Sequence, residues 1–179
     1  MVEMGESWLY EELGREVVTG KRNTLAVVGS KKGIDAAFSS EFISRLNTNA
    51  IYLTLGTPAE KADMPLSAMD IAWIDATGAR HSPSPGFSVS YFDSARQLVR
   101  LSAMVGAMAS AGNHSFLVVN SLNEILDANG EEKTAEFVGF LTGRLASAGM
   151  GGLFFILAVP EAAGLVKEIS PMFDNVMKL

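Results

Sequence analysis

Three stretches of the chain combine residue types that could do chemistry. The first is Gly29-Ser30-Lys31-Lys32-Gly33, directly after the apolar run Thr24 to Val28. A hydroxyl and two ammonium groups between glycines could cradle a phosphate or another anion where a helix begins, because backbone N–H groups and the helix dipole favour negative charge there. The phosphate-loop pattern GxxxxGK[ST] is not met: counting on from Gly29, Ile34 stands for the second glycine, Asp35 for the lysine and Ala36 for the hydroxyl residue. An aspartate at that point repels phosphate, so a solvated turn with two exposed lysines competes with, and is preferred to, the anion site. The second stretch is "IAWIDATG", where Asp75 could hold magnesium or orient water; an aspartate before Thr77-Gly78 equally opens an Asx-turn, and the turn is the preferred reading. The third is "FLVVNSLN", which delivers Asn120, Ser121 and Asn123 to the end of an apolar run. Asn120 sits where a nucleoside triphosphatase would place an acid, and a neutral amide is a much weaker magnesium ligand than a carboxylate.

Around these stretches the pattern is of strands separated by helices. Short apolar runs at Thr24 to Val28, Ala50 to Gly56, Ile71 to Gly78, Phe87 to Phe92, Ser115 to Leu122, Gly152 to Val159 and Met172 to Leu179 read as strands. The run at Gly152 is the most apolar and is expected in the centre of the sheet. Helices are expected over Glu6 to Val18, Asp35 to Leu46, from Asp93 or Ser94 to Gly112, Gly130 to Gly149 and from Pro160 onward. Strands that are apolar throughout, joined by helices, imply a mostly parallel sheet covered on both faces, a three-layer α/β/α sandwich. In such a sheet ligands bind beyond the carboxyl ends of the strands, which makes Asp75, Asn120 and Ser121 the pocket candidates.

Composition narrows the function classes. The chain has 179 residues, enough for one domain spanning 1–179, with residues 1–20 as an amphipathic helix packed on it or extending from it. It has no cysteine, which excludes thiolate catalysis and cysteine-ligated zinc, and its two histidines, His81 and His114, are far apart, so no metal site is expected. The net charge of −6 argues against a nucleic-acid partner, since that affinity comes from neutralising phosphates with Lys and Arg. No apolar run approaches the ~20 residues that span a bilayer, and a cytoplasmic protein without membrane insertion is expected.

The order of elements carries a resemblance. "TLAVVGSKKGID", "NAIYLTLGTP", "MDIAWIDATG", "FSVSYFDSARQLVRLSAMV", "HSFLVVNSLNEILDANGEEKTAEFVGFLTGRL" and "GMGGLFFIL", in that order, resemble RecA/KaiC-type P-loop ATPase domains, and most of all the short archaeal KaiC-like and archaellum-ATPase-like proteins. The stretch "FLVVNSLNEILDANGEEKTAEFVGFLTGRL" looks like that family's Walker B strand, a serine-leucine turn and the following helix. Laid on this chain, the family's phosphate loop falls on Gly29 to Ala36 without its lysine and hydroxyl residue, its Walker B aspartate falls on Asn120, and its catalytic glutamates fall on Gly56 and Thr57. Phosphoryl transfer depends on positioning and charge neutralisation by just these parts. The resemblance therefore implies a pseudo-ATPase: a RecA-like domain with degenerate Walker motifs, no catalytic residues and no required cofactor, acting on a protein partner or in a homo-oligomer in regulation, scaffolding or signalling. The alternative is a sensor that binds ATP, another nucleotide or an anion through residues 29–33 without hydrolysis. An enzyme of another class, using Asp75 and Asn120 at the strand ends, is the remaining rival.

Overall fold

The apolar runs become strands because each has something to bury on both of its faces. In the computed structural model, which describes residues 22–36, 42, 49–61, 71–79 and 88–179, seven strands make one sheet: β1 (Asn23–Val28), β2 (Ala50–Thr54), β3 (Ala72–Asp75), β4 (Ser88–Tyr91), β5 (Phe116–Asn120), β6 (Gly151–Leu157) and β7 (Asn175–Lys178). Their order is β4-β3-β2-β5-β6-β1-β7, and every neighbouring pair is parallel. Among the described residues the helices are α1 (Lys31–Ala36), α2 (Leu98–Ser110), α3 (Leu122–Asn129), α4 (Glu131–Ala148) and α5 (Ala163–Ile169).

Alternate side chains of each strand sort into two cores, as the pleat requires. Leu25, Val27, Ile51, Leu53, Leu117, Val119, Phe154 and Ile156 face one side, where they meet Leu101 and Val105 of α2, Ile125 of α3, Val138 and Leu141 of α4 and Leu165 of α5. Ala26, Val28, Tyr52, Trp73, Val118, Leu153 and Phe155 face the other, with Ile34 of α1 and Phe42. There Tyr52 stacks on Trp73 with ring centroids 4.7 Å apart, and Phe42 meets Phe155 edge-on. Burial holds the Tyr52 phenol well above its ordinary pKa, so it stays neutral. Helices thus lie on both faces of a parallel sheet, and the three-layer α/β reading holds.

Two departures concern the helices that carry candidate residues. The helix after β1 begins at Lys31, not at Asp35, leaving a linker of Gly29 and Ser30 alone, and residues 37–41 and 43–46 of its expected span lie outside the described residues. Gly33 eases this: a Cβ there would lie 3.2 Å from Val28 Cβ, a tight contact that glycine avoids where the first turn seats against the strand end. Residues 123–129, assigned to no element from sequence, form α3 together with Leu122, and Gly130 separates it from α4. β6 is interior, between β5 and β1, and Leu122 belongs to α3 rather than to a strand. Helix α2 starts at Leu98 instead of Asp93 or Ser94: the Ser94 carbonyl accepts from Gln97 N–H and Ser94 Oγ from Arg96 N–H, which shapes a turn before the helix. The helix expected over residues 6–18, and His81, lie outside the described residues.

Chain reversal in the sheet creates the place for a site. From β2 the chain steps outward to β3 and β4; from β5 it steps the opposite way to β6, with β7 beyond β1. The chain's steps from β2 and from β5 run in opposite directions along the sheet, and a crevice opens at the carboxyl ends of these two strands. The register keeps the ends level, with Thr54 opposite both Asp75 and Asn120.

Candidate functional site

A cavity of about 370 Å³ fills this crevice. Lys31, Ile34 and Asp35 of α1 form one wall, Gly56 and Thr57 after β2 another, and Asn120, Ser121, Asn123, Glu124, Leu126 and Asp127 the floor and a third side. Leu157, Val159 and Glu161, at and beyond the end of β6, close it. Such a volume suits a small ligand or a single large side chain.

The floor is fixed by backbone and amide hydrogen bonds. Asn120 is fully buried, and Leu55 N–H donates to its Oδ1 at 2.9 Å. That donor decides the orientation of the amide, since only the oxygen can face an N–H. Its Nδ2 is therefore turned the other way, and it finds no acceptor among the described residues. Ser121, also buried, has φ 62° and ψ 84°, a left-handed backbone that costs a non-glycine residue on the order of 1 kcal/mol. This kink lets α3 start immediately after β5. Asn123 then ties α3 to β6: Leu157 N–H donates to Asn123 Oδ1 at 2.7 Å, and Asn123 Nδ2 donates back to the Leu157 carbonyl at 3.3 Å. The side-chain amide completes the ladder where β6 runs out of partners.

Charge around the cavity is mostly negative. Lys31 is the one cation among the described lining residues, against the carboxylates of Asp35, Glu124, Asp127 and Glu161. Glu124 leans over the β2 end so closely that a Cβ on Gly56 would lie 2.9 Å from its Oε1. That carboxylate, delivered by α3, is exposed and can swing aside, so the contact sets its position rather than the residue at 56.

The structure separates the residues singled out from sequence. Lys31, Asn120 and Ser121 line the cavity, whereas Gly29, Ser30, Lys32, Gly33 and Asp75 are not among its lining residues. Gly29 N–H donates to the Leu179 carbonyl at 2.8 Å and Gly33 N–H to the Ser30 carbonyl at 3.0 Å, so both amides are spoken for within the protein. Asp75 is fully buried and brackets two loops. Its Oδ1 accepts from Thr77 N–H at 2.9 Å and from Thr77 Oγ1 at 2.6 Å, and its Oδ2 accepts from Ala59 N–H at 2.8 Å. The first bond is the Asx-turn; the last holds the segment that descends from Gly56 and Thr57. Sequence reading passed over Glu124 and Asp127, although their i, i+3 spacing would have put both on one helix face had α3 been recognised as a helix. Among the described residues no group of three or more His, Cys, Asp or Glu side chains could hold a metal ion, and no helix is long and apolar enough to cross a membrane.

No curated protein matches the chain. The architecture is similar to the crystal structure of a KaiC-like protein from the hyperthermophilic archaeon Pyrococcus horikoshii OT3, with a TM-score of 0.63 and 16% identity over 89% of this chain and 71% of that one. At that identity the likeness shows a RecA/KaiC-like α/β fold. Residues 58–179, from the β2–β3 connection to the final strand, match the family of unknown function DUF7504, and the chain belongs to that family.

Proposed function

We propose that this is a RecA/KaiC-like domain that has given up ATP hydrolysis and works through protein contacts, as a regulatory or scaffolding partner or in a homo-oligomer. The observation that carries the reading is the state of the loop after β1. It is reduced to Gly29 and Ser30, and the N–H groups of Gly29 and Gly33 already serve Leu179 and Ser30. A loop that cradles phosphates must offer free backbone donors and a lysine at its helix start. The wall charges support the same view, because Asp35, Glu124, Asp127 and Glu161 around one lysine repel a triphosphate. Asn120, with an amide where a carboxylate would bind magnesium, adds to it.

The rival, a nucleotide or anion sensor using residues 29–33, draws on one observation, Lys31 at the cavity wall. Phosphate release from magnesium ATP, with calorimetric titration of ATP and ADP, decides between them. The expected result is no release above buffer and no saturable heat. Binding that disappears in Lys31→Ala/Lys32→Ala would promote the sensor, and turnover would end the pseudo-ATPase reading.

A further inference from the structure

The cavity is built for a ligand of the opposite sign from phosphate. Four exposed carboxylates surround it, and its remaining lining includes the apolar side chains of Ile34, Leu126, Leu157 and Val159. At its floor lies a fully buried amide nitrogen, Asn120 Nδ2, that lacks an acceptor among the described residues. A buried donor left without a partner is costly, so the position calls for an incoming acceptor. The strained backbone of Ser121 lies beside it, the kind of feature that persists at ligand sites. The carboxylates do not converge on a point as metal ligands would. They are spread along α1, α3 and the segment after β6, which suits a cation that is extended and multiply hydrogen-bonding.

We propose that this cavity receives a lysine or arginine residue of a protein partner. Its cationic head lies among Glu124, Asp127, Asp35 and Glu161, its aliphatic stem runs along the apolar wall, and its main-chain carbonyl accepts from Asn120 Nδ2. This rests on the reading that the domain acts through protein contacts, and it names the chemistry that the partner must present. Lys31 opposes such a guest, so the cation reading and the phosphate reading predict opposite signs for its removal.

The test is a titration of the full chain, followed by amide chemical shifts, with N-acetyl-arginine amide, its neutral isostere N-acetyl-citrulline amide, n-butylguanidinium, a monocation that carries the guanidinium without a carbonyl, and magnesium ATP. The expected outcome is saturable binding of the arginine amide at millimolar concentration, centred on residues 120–127. Citrulline amide and n-butylguanidinium should each bind several-fold more weakly. Glu124→Gln/Asp127→Asn, both at exposed positions and so compatible with folding, should weaken arginine amide by about three- to tenfold, the scale of two part-exposed ion pairs. Lys31→Ala should strengthen it by about two- to fivefold. Equal binding of citrulline amide overturns the role of charge, and equal binding of n-butylguanidinium overturns the main-chain carbonyl and with it the protein source. If none of the probes binds, the proposal falls while the protein-contact reading stands on the absence of ATP turnover. If ATP binds and Lys31→Ala abolishes it, both fall together.

Discussion

Asp75 offers the sharpest test of how this site is held, through the isosteric change Asp75→Asn. The carboxylate serves three donors: two from Thr77 on Oδ1 and one from Ala59 on Oδ2. An amide keeps one oxygen. If that oxygen stays on Thr77, the new NH2 faces Ala59 N–H across 2.8 Å, donor against donor. The flipped amide keeps Ala59 and sets a donor against Thr77 N–H, while the Thr77 hydroxyl can turn to accept from it, so neither orientation escapes one donor–donor clash. The better arrangement forfeits one bond to a charged group and leaves a buried N–H unpaired, together about 2–3 kcal/mol. For a domain of this size that is a fall in melting temperature of roughly 4–12 °C. Because the lost bond anchors the segment below Gly56 and Thr57, amide shifts should move on that side of the cavity as well. Urea and thermal unfolding of the variant beside Thr77→Val, which should lose only about 1 kcal/mol, provide the assay. If Asp75→Asn melts within about 1 °C of the parent, the three-donor bracket is wrong and Asp75 is free for another task.

Three further outcomes follow from other parts of the structure. Ser121→Gly should raise stability by about 0.5–1 kcal/mol in urea unfolding, since it relieves the left-handed backbone and Ser121 makes no side-chain cap bond to α3; a loss would show that the hydroxyl matters more than the strain. Gly152→Ala should destabilise by about 1–3 kcal/mol, because the added Cβ would meet Leu145 Cδ1 at 2.7 Å and Phe154 Cε2 at 2.8 Å between β6 and α4, and an unchanged urea midpoint would contradict that packing. His114 titrates below its ordinary value of 6.5 because of burial. The unfolded chain therefore takes up its proton first as pH falls, so stability drops on going down through the window below pH 6.5 and is level above it. His114→Gln should remove that part of the slope in unfolding midpoints measured across the window; a parent and variant with parallel curves would count against it.

Much of the fold was legible because its signals are local. Seven apolar runs closed by glycine or polar residues gave the strands, and their unbroken hydrophobicity gave a parallel sheet with both faces covered. Gly149, at the end of α4 in the left-handed conformation, was readable as a helix stop. The start of α1 was not, since it depends on Gly33 seating against Val28 across the strand end. Helix α3 was missed because Ser121 adopts a backbone that no serine propensity announces, and it does so only to connect β5 to a helix packed on β6.

The candidate site divides the same way. Sequence alone determined that lysine and hydroxyl are absent where a phosphate loop needs them, that an amide stands at position 120, and that the chain can make a doubly covered α/β sheet; these follow from residue identity and spacing. Only the tertiary structure decided that Lys31 faces the cavity while Asp75 turns inward to three donors, and that Glu124 and Asp127 give the wall its negative sign. The order of the strands brings β2 beside β5, although the two lie far apart along the chain. Electrostatics and hydrogen bonding act through space over a few ångströms, so the character of the cavity is a property of that neighbourhood and is written in no single stretch of the sequence.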